Sequence, residues 1–434
     1  MRTIDLRGRE LSAADMLAAV PRAAQARAEA LDAATRIVDD VRERGATALR
    51  EQAERFDGVS GHAVRVPEAH IAEALESVDP TVRAALEEAI VRVRQGSEAQ
   101  VPAPQTTDIG PGARIQQRWQ PVARAGVYIP GGKAPLASSV VMNVVPAQVA
   151  GVQHIALASP PQASYDGRIH PTILAAAGLL GIDEIYAIGG AGAVGAFAWG
   201  VPEIGLDPVD VVSGPGNNYV ASAKRVVAGI VGTDSEAGAT EILIVADDSA
   251  DPRLVAADLI SQAEHDEQAS AVLVTDSPEL AARVDDEVAR QALRTRHSAR
   301  VAEALAGPQS AIVLVDGPGM AAAFSNAYAP EHLELHLVDA EAAASAFTSA
   351  GAVFVGDQTP VSLGDYMAGS NHVLPTGGQA RYASGLGAYT FLRPQQVITY
   401  DRAALSAVRD GVVALANAEA LPAHGEAIEA RFTA

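Results

Sequence analysis

Residues 122–159 read VARAGVYIPGGKAPLASSVVMNVVPAQVAGVQHIALAS, and this stretch decides the fold. AGVYI and HIALAS are short apolar runs of strand character, and an Ala/Val-rich segment from about Ser138 reads as the helix between them. A strand, a helix and a second strand make one parallel crossover unit. The alternation continues outward with a helix from about Pro171, then EIYAIGG, then VDVVSGPG and a helix behind it. A second set starts at Glu241: EILIVAD, a helix from about Pro252, SAVLVTD, a helix from about Pro278, and SAIVLVD. GAVFVGD at 351–357 reads as one more buried strand. The chain is therefore expected to be α/β with parallel, doubly wound sheets, and the two sets could be two similar halves. Toward the N-terminus, 28–56 and 80–95 carry apolar residues at helical spacing. Between 101 and 120 that periodicity is lost, and Pro102, Pro104 and Pro111 suggest a connector. After about Gly387 the chain reads as helical again.

The 434 residues suggest two or three domains at about 150 residues each. Lys plus Arg total 32 against 53 Asp plus Glu, a net charge of −21 that repels phosphate backbones and argues against a nucleic-acid partner. Cysteine is absent, which removes disulfides, thiolate metal sites and cysteine nucleophiles together. The opening MRTIDLRGRE has no apolar run of the kind a secretory signal needs. The longest apolar stretch, Val140–Ala158, is interrupted by Asn143, Pro146, Gln148, Gln153 and His154, so no membrane partner is expected. A soluble cytoplasmic protein is the expectation.

Glycine-rich loops follow four of the expected strands: GVYIPGGK (126–133), IGGAGAVG (188–195), SGPGNNYV (213–220) and VGDQTPVSLGD (355–365). Glycine lets backbone N–H groups approach a ligand, and a following helix N-terminus favours anions. Gly190, Gly192 and Gly195 spell GxGxxG, but the acidic residue that should follow is misplaced, because Asp210 stands at the start of its strand. GVYIPGGKAP lacks the spacing of a phosphate loop, and Ala134 stands where a Ser or Thr would hold magnesium. Tyr128, at the end of its strand, offers a ring that can stack on a cofactor or simply pack.

Four further groups carry polar chemistry. Gln262 and His265 are three apart at a helix end, so an oxygen and an imidazole nitrogen can share one face and hold a divalent metal. A solvated face explains the same pair. Glu331 and His332 are adjacent after Pro330, and a carboxylate–imidazole couple can move protons near neutral pH. His336 extends an alternating run and reads as a strand residue. Asp365, in SLGDYMAGSNHVLP, could be a ligand or a turn former. Glu419 and His424, in AEALPAHGEAI, read as solvated surface on the last helical tail.

Taken together, VYIPGG, GPGN, DSEAGATE, QAEHD, YAPEHLEL, GDQTPVSLGDYMAGSNHVLPTGGQAR and AExLxxH resemble histidinol dehydrogenase from about Val127 to the tail. Each piece is short, but the ordered set is highly specific. The resemblance implies two Rossmann-like, incompletely doubly wound parallel-sheet domains with helical extensions at both ends. It implies a helical arm at 1–24, a larger domain of 25–127 and 237–386 with most of the zinc and substrate site, an NAD-contacting domain at 128–236, and a helical tail at 387–434. It implies oxidation of L-histidinol through L-histidinaldehyde to L-histidine, the last steps of histidine biosynthesis, with two NAD⁺ and one Zn²⁺ per subunit. Gln262, His265, Asp365 and His424 would hold the zinc. His332 would be the general base, and Glu331 would activate the water that hydrates the aldehyde. Thr240, Gln262, His265, His332, Asp365, Glu419 and His424 would contact substrate, and Tyr128 and Asn217 would contact NAD. The chain would form an intertwined homodimer in which Glu419 and His424 complete the partner's active site.

Two departures stand out. Gly192 replaces the glutamine of the family's GGAQA, which also means that GxGxxG here arises from a substitution and is no dinucleotide fingerprint. Gly238-Ala239-Thr240-Glu241 replaces AGPSE, keeping a hydroxyl but losing the proline. The first bears on NAD affinity, the second on substrate affinity. The alternatives are a homologue acting on another amino alcohol, a zinc hydrolase, and a non-catalytic protein on the same scaffold. The last ranks low, because Glu331 and His332 are both present.

Overall fold

The computed structural model describes residues 1–22, 27–132, 134–236 and 238–433, so Lys133 and Ala237 of the quoted motifs lie outside the described residues. The chain divides into two units, Met1–Gln100 with Val122–Phe391, and Val101–Pro121 with Leu392–Ala434.

The first unit holds two parallel sheets. One has five strands in the order Ile185–Ala187, His154–Ser159, Arg124–Tyr128, Val211–Ser213, Gly232–Thr233. The other has six, in the order Thr3–Asp5, Ala311–Leu314, Ser270–Thr275, Glu241–Ala246, His332–His336, Ala352–Val355. Leaving aside the edge strand Thr3–Asp5, each sheet starts at its centre, winds outward to one side through two crossovers, then returns to build the other side. Apart from Thr3–Asp5 the two orders are the same, so the two strand–helix sets are two copies of one topology. Every residue of Glu241–Ala246, Ser270–Thr275 and Ala311–Leu314 is buried, as expected of parallel strands covered on both faces. The crossover helices begin where the sequence places them: Pro171–Leu179, Pro252–Ala263 and Pro278–Ala292 each open on a proline, whose missing N–H is no loss at a helix start.

Several boundaries differ from expectation. The segment 1–24 is not all helical, since Thr3–Asp5 adds a parallel edge strand beside Ala311–Leu314 before the helix Ala13–Ala19. Three residues are too few to show a period in sequence. The helices between 27 and 98 were expected to join the larger domain. Instead the apolar stripe Ala34, Val38, Val41 and Leu49 enters the core beneath the five-stranded sheet, with Phe197 and Val220. The boundary expected at 127/128 cuts through the strand Arg124–Tyr128, which belongs wholly to that sheet.

In the second unit, the expected connector at 101–120 contains Gln105–Gly110 and Ala113–Pro121, which form an antiparallel hairpin. The expected helical tail begins with a nine-residue strand, Leu392–Tyr400, paired antiparallel to Ala113–Pro121. Gln105–Gly110 and Leu392–Tyr400 are largely exposed, so they lack the apolar alternation that would have marked them. Helices Arg402–Ala418 and Pro422–Glu429 follow. No helix among the described residues is long and apolar enough to cross a membrane.

Candidate active site

The site grows from the amino ends of two neighbouring strands. Thr240 immediately precedes Glu241–Ala246, and Glu331 immediately precedes His332–His336. The register sets His332 beside Ile242, which brings the two strand starts together. The chain reaches Glu331 from the helix Pro318–Tyr328 by a sharp reversal at Ala329, whose φ of +50° is left-handed. A non-glycine residue there carries about 1–2 kcal/mol of strain. On the other side, a Cβ at Gly351 would lie 2.6 Å from the Glu331 carbonyl oxygen, so only glycine allows the neighbouring strand to approach.

One hydrogen-bonded chain joins the polar side chains. Gln262 Nε2 donates to Thr240 Oγ1 at 2.5 Å, and that hydroxyl donates to Glu331 Oε2 at 2.5 Å. Glu331 Oε2 also accepts the Glu241 N–H at 2.9 Å. His332 Nδ1 lies 3.0 Å from the Glu241 carbonyl oxygen and 3.6 Å from Glu331 Oε2. With Nδ1–H donating to that carbonyl, Nε2 keeps its lone pair as a base. Burial pushes Glu331 up to about 8, opposed by its bonds from Thr240 and Glu241. Burial also lowers His332. The pair therefore holds a neutral imidazole beside a carboxyl that titrates near physiological pH.

Gln262 is buried, and its Oε1 has no hydrogen-bond partner. An orphaned buried carbonyl costs about 1–3 kcal/mol, and a cation at that oxygen would satisfy it. The helix Pro252–Ala263 ends just before Glu264, so His265 lies past its C-cap, exposed, and does not share a helical face with Gln262. Asp365 is half-buried in the short helix Val361–Tyr366. Its charge acts on both Glu331 and His332, which places it with them.

His372 is a member that sequence reasoning missed. Its Nδ1 donates to the Asp365 carbonyl oxygen at 2.9 Å, and its Nε2 lies 3.1 Å from Ser139 Oγ. Burial lowers it, and the charges of Asp365, His332 and His265 all act on it. A histidine flanked by Asn371 and Val373 carries no signal of its own; its only cue was its place in the quoted motif.

The other expected site residues lie elsewhere. Tyr128 is buried at the carboxyl end of its strand, and its hydroxyl accepts the Gly190 N–H at 3.1 Å. Burial pushes that hydroxyl up to about 12. Asn217 is exposed and caps the helix Asn218–Val227, its Oδ1 accepting from Tyr219 N at 3.0 Å and Val220 N at 3.2 Å. Both residues flank the point where the five-stranded sheet reverses its winding, between Arg124–Tyr128 and Val211–Ser213. That crevice is where open parallel sheets take dinucleotides. Glu419 and His424 are exposed on the second unit. His336 is a strand residue as expected. It forms a buried group with Asp258 and Glu334, whose ligand-type atoms lie within 4.8 Å of one another. This group sits toward the opposite end of the strand from His332; Glu334 accepts from Val361 N at 2.7 Å and from His336 Nε2 at 3.3 Å, while the buried His336 Nδ1 has no hydrogen-bond partner.

A family model described as histidinol dehydrogenase matches residues 20–432. Histidinol dehydrogenase from Leifsonia xyli subsp. xyli (strain CTCB07) is 64% identical over 432 residues, covering 100% of this chain and 99% of the relative. The protein of that name from Thermobifida fusca (strain YX) is 56% identical, covering 99% and 97%. The crystal structure of histidinol dehydrogenase from Elizabethkingia anophelis superposes with a TM-score of 0.92 at 32% identity, covering 99% of this chain and 98% of that one. With the fold and the family agreeing along the whole chain, this protein belongs to the histidinol dehydrogenase family.

Proposed function

We propose that this chain oxidises L-histidinol through L-histidinaldehyde to L-histidine, in the closing steps of histidine biosynthesis, with NAD⁺ and a bound zinc ion. The observation that carries the reading is the chain Gln262–Thr240–Glu331 with neutral His332 beside it, ending in the unpartnered Gln262 Oε1. Gln262, His265 and Asp365, with His424 of the partner subunit, are an oxygen and nitrogen donor set of the kind that binds zinc with positions left for substrate. Tyr128, Asn217 and the glycine-rich strand ends around them would hold the dinucleotide. A bound zinc would hold and orient the amino alcohol, and NAD⁺ would supply the hydride acceptor for each of the two oxidations.

The chain's own residues handle the protons. His332 Nε2 takes the proton of the substrate hydroxyl, helped by its Nδ1–H bond to the Glu241 carbonyl, which supports the imidazolium as it forms. Glu331 takes a proton from the water that adds to the aldehyde. A carboxyl pushed up to about 8 is a stronger base than an ordinary carboxylate once ionised. His332 then takes the hydroxyl proton of the hydrate for the second oxidation. With no cysteine in the chain to trap the aldehyde as a thiohemiacetal, hydration is the route left to the acid.

The test is zinc-loaded protein with L-histidinol and NAD⁺. About two NADH per histidine are expected, with turnover lost in His332→Ala. Turnover of another alcohol with none of histidinol would overturn the substrate assignment. We further propose a homodimer with shared sites. Mixing His332→Ala and His424→Ala chains then restores up to about a quarter of the wild-type activity, because half of the dimers carry one intact site. No recovery after verified subunit exchange removes the shared site.

A further inference from the structure

The proton-handling pair is held by a residue outside both strands. Arg22, in the N-terminal segment, donates from Nε to Glu241 Oε1 at 2.6 Å and from Nη2 to Oε2 at 3.3 Å. The same Nη2 donates to the carbonyl oxygens of Tyr328 and, at 3.3 Å, Ala329. The guanidinium carbon stands 4.1 Å from the centre of the Tyr328 ring. Glu241 is buried, and its Oε1 also accepts the Gly377 N–H at 3.2 Å. Gly378 is left-handed at φ +79°, and a Cβ there would come within 3.1 Å of the Arg22 guanidinium.

What this fork grips matters more than the ion pair. The Glu241 residue supplies both backbone contacts of the pair: its N–H bonds Glu331 and its carbonyl bonds His332 Nδ1. Tyr328 and Ala329 form the left-handed reversal that delivers Glu331 and His332 into place. We infer that Arg22 is a positioning residue for the reaction, clamping the Glu241 strand start to the Tyr328–Ala329 reversal so that Glu331 and His332 meet substrate in register. The inference rests on reading those two residues as the proton-handling pair. A lysine keeps a charge for Glu241, but a single ammonium cannot chelate the carboxylate, reach both carbonyls and stack on the ring together.

The test therefore uses Arg22→Lys alongside the double variant Arg22→Gln/Glu241→Gln, because loss of Arg22 alone strands a buried carboxylate and can prevent folding. In both variants kcat per zinc-loaded, folded chain should fall about 10- to 100-fold, while KM for L-histidinol changes less than about threefold. The ¹⁵N resonances of His332, identified by comparison with His332→Gln, should move away from the Nδ1–H form at neutral pH in both variants. Wild-type kcat and an unmoved His332 signal in a folded variant would overturn the inference. If wild type makes no NADH from L-histidinol yet the signal moves, the clamp stands and the assigned reaction falls.

Discussion

The two parallel sheets share one topology and present opposite edges to the chemistry. In the five-stranded sheet the functional candidates gather at the carboxyl ends: Tyr128 closes its strand, and Asn217 caps the helix that follows Val211–Ser213. In the six-stranded sheet they gather at the amino ends, with Thr240 and Glu331 just before their strands and Gln262 in the last turn of Pro252–Ala263. Crossover helices begin at the carboxyl edge of a parallel sheet and end at its amino edge. Helix starts carry partial positive charge and helix ends partial negative charge, so the first edge suits an anionic dinucleotide and the second a cation. The difference teaches that one winding pattern, used twice, offers two candidate sites at edges of opposite polarity.

The largest way to break this comparison is His332→Ala. If the amino edge does the proton chemistry, kcat falls about 10²–10⁴-fold in an NADH assay with the fold retained. Next comes Glu331→Gln, followed by thermal melting in chelator across pH. A carboxyl pushed up to about 8 binds its proton better folded than unfolded. Its contribution is fully present below about 4.5, the ordinary value, and is lost as pH rises toward 8. Wild type should thus lose about 3 kcal/mol more than the variant between pH 4.5 and 7; parallel curves would show that Glu331 is not held in that state. Thr240→Val sharpens the amino edge further, since its hydroxyl bonds both Gln262 and Glu331. Zinc affinity, measured by competition with a chelator, should drop about 10–100-fold.

Smaller effects test the carboxyl edge. Tyr128→Phe removes the acceptor of the Gly190 N–H and should weaken NAD⁺ binding by about 1 kcal/mol, read as a several-fold rise in KM for NAD⁺ with zinc content unchanged. The smallest concerns Gly192, in the helix Gly190–Trp199. A Cβ there would come within 2.3 Å of Gln52 Oε1, the end of a flexible side chain that can swing away. Gly192→Ala should change stability by less than about 1 kcal/mol, helix propensity offsetting the displaced amide.

Legibility followed burial. Crossover helices and strands were read from 122 to 357 because most apolar runs were covered on both faces and proline marked the helix starts, but GAVFVGD, expected as a buried strand, is the edge strand Ala352–Val355 with only Phe354 buried. Gln105–Gly110 and Leu392–Tyr400 were missed because an exposed strand leaves no apolar period to read. The attachment of 27–98 was missed because an amphipathic stripe shows that a helix is covered and not by what.

By itself, then, the sequence determined the α/β class, the absence of thiol chemistry and, through an ordered set of short motifs, the family and its candidate residues. Those properties reside in local pattern and in residue type. Only the tertiary structure decided that Glu241 serves Glu331 and His332 through its backbone, that Arg22 grips Glu241, and that His372 sits beside Asp365. These contacts join residues from 7 to 219 positions apart. The physical reason is that a backbone amide has the same chemistry at every position, so its role appears only when folding sets its partner.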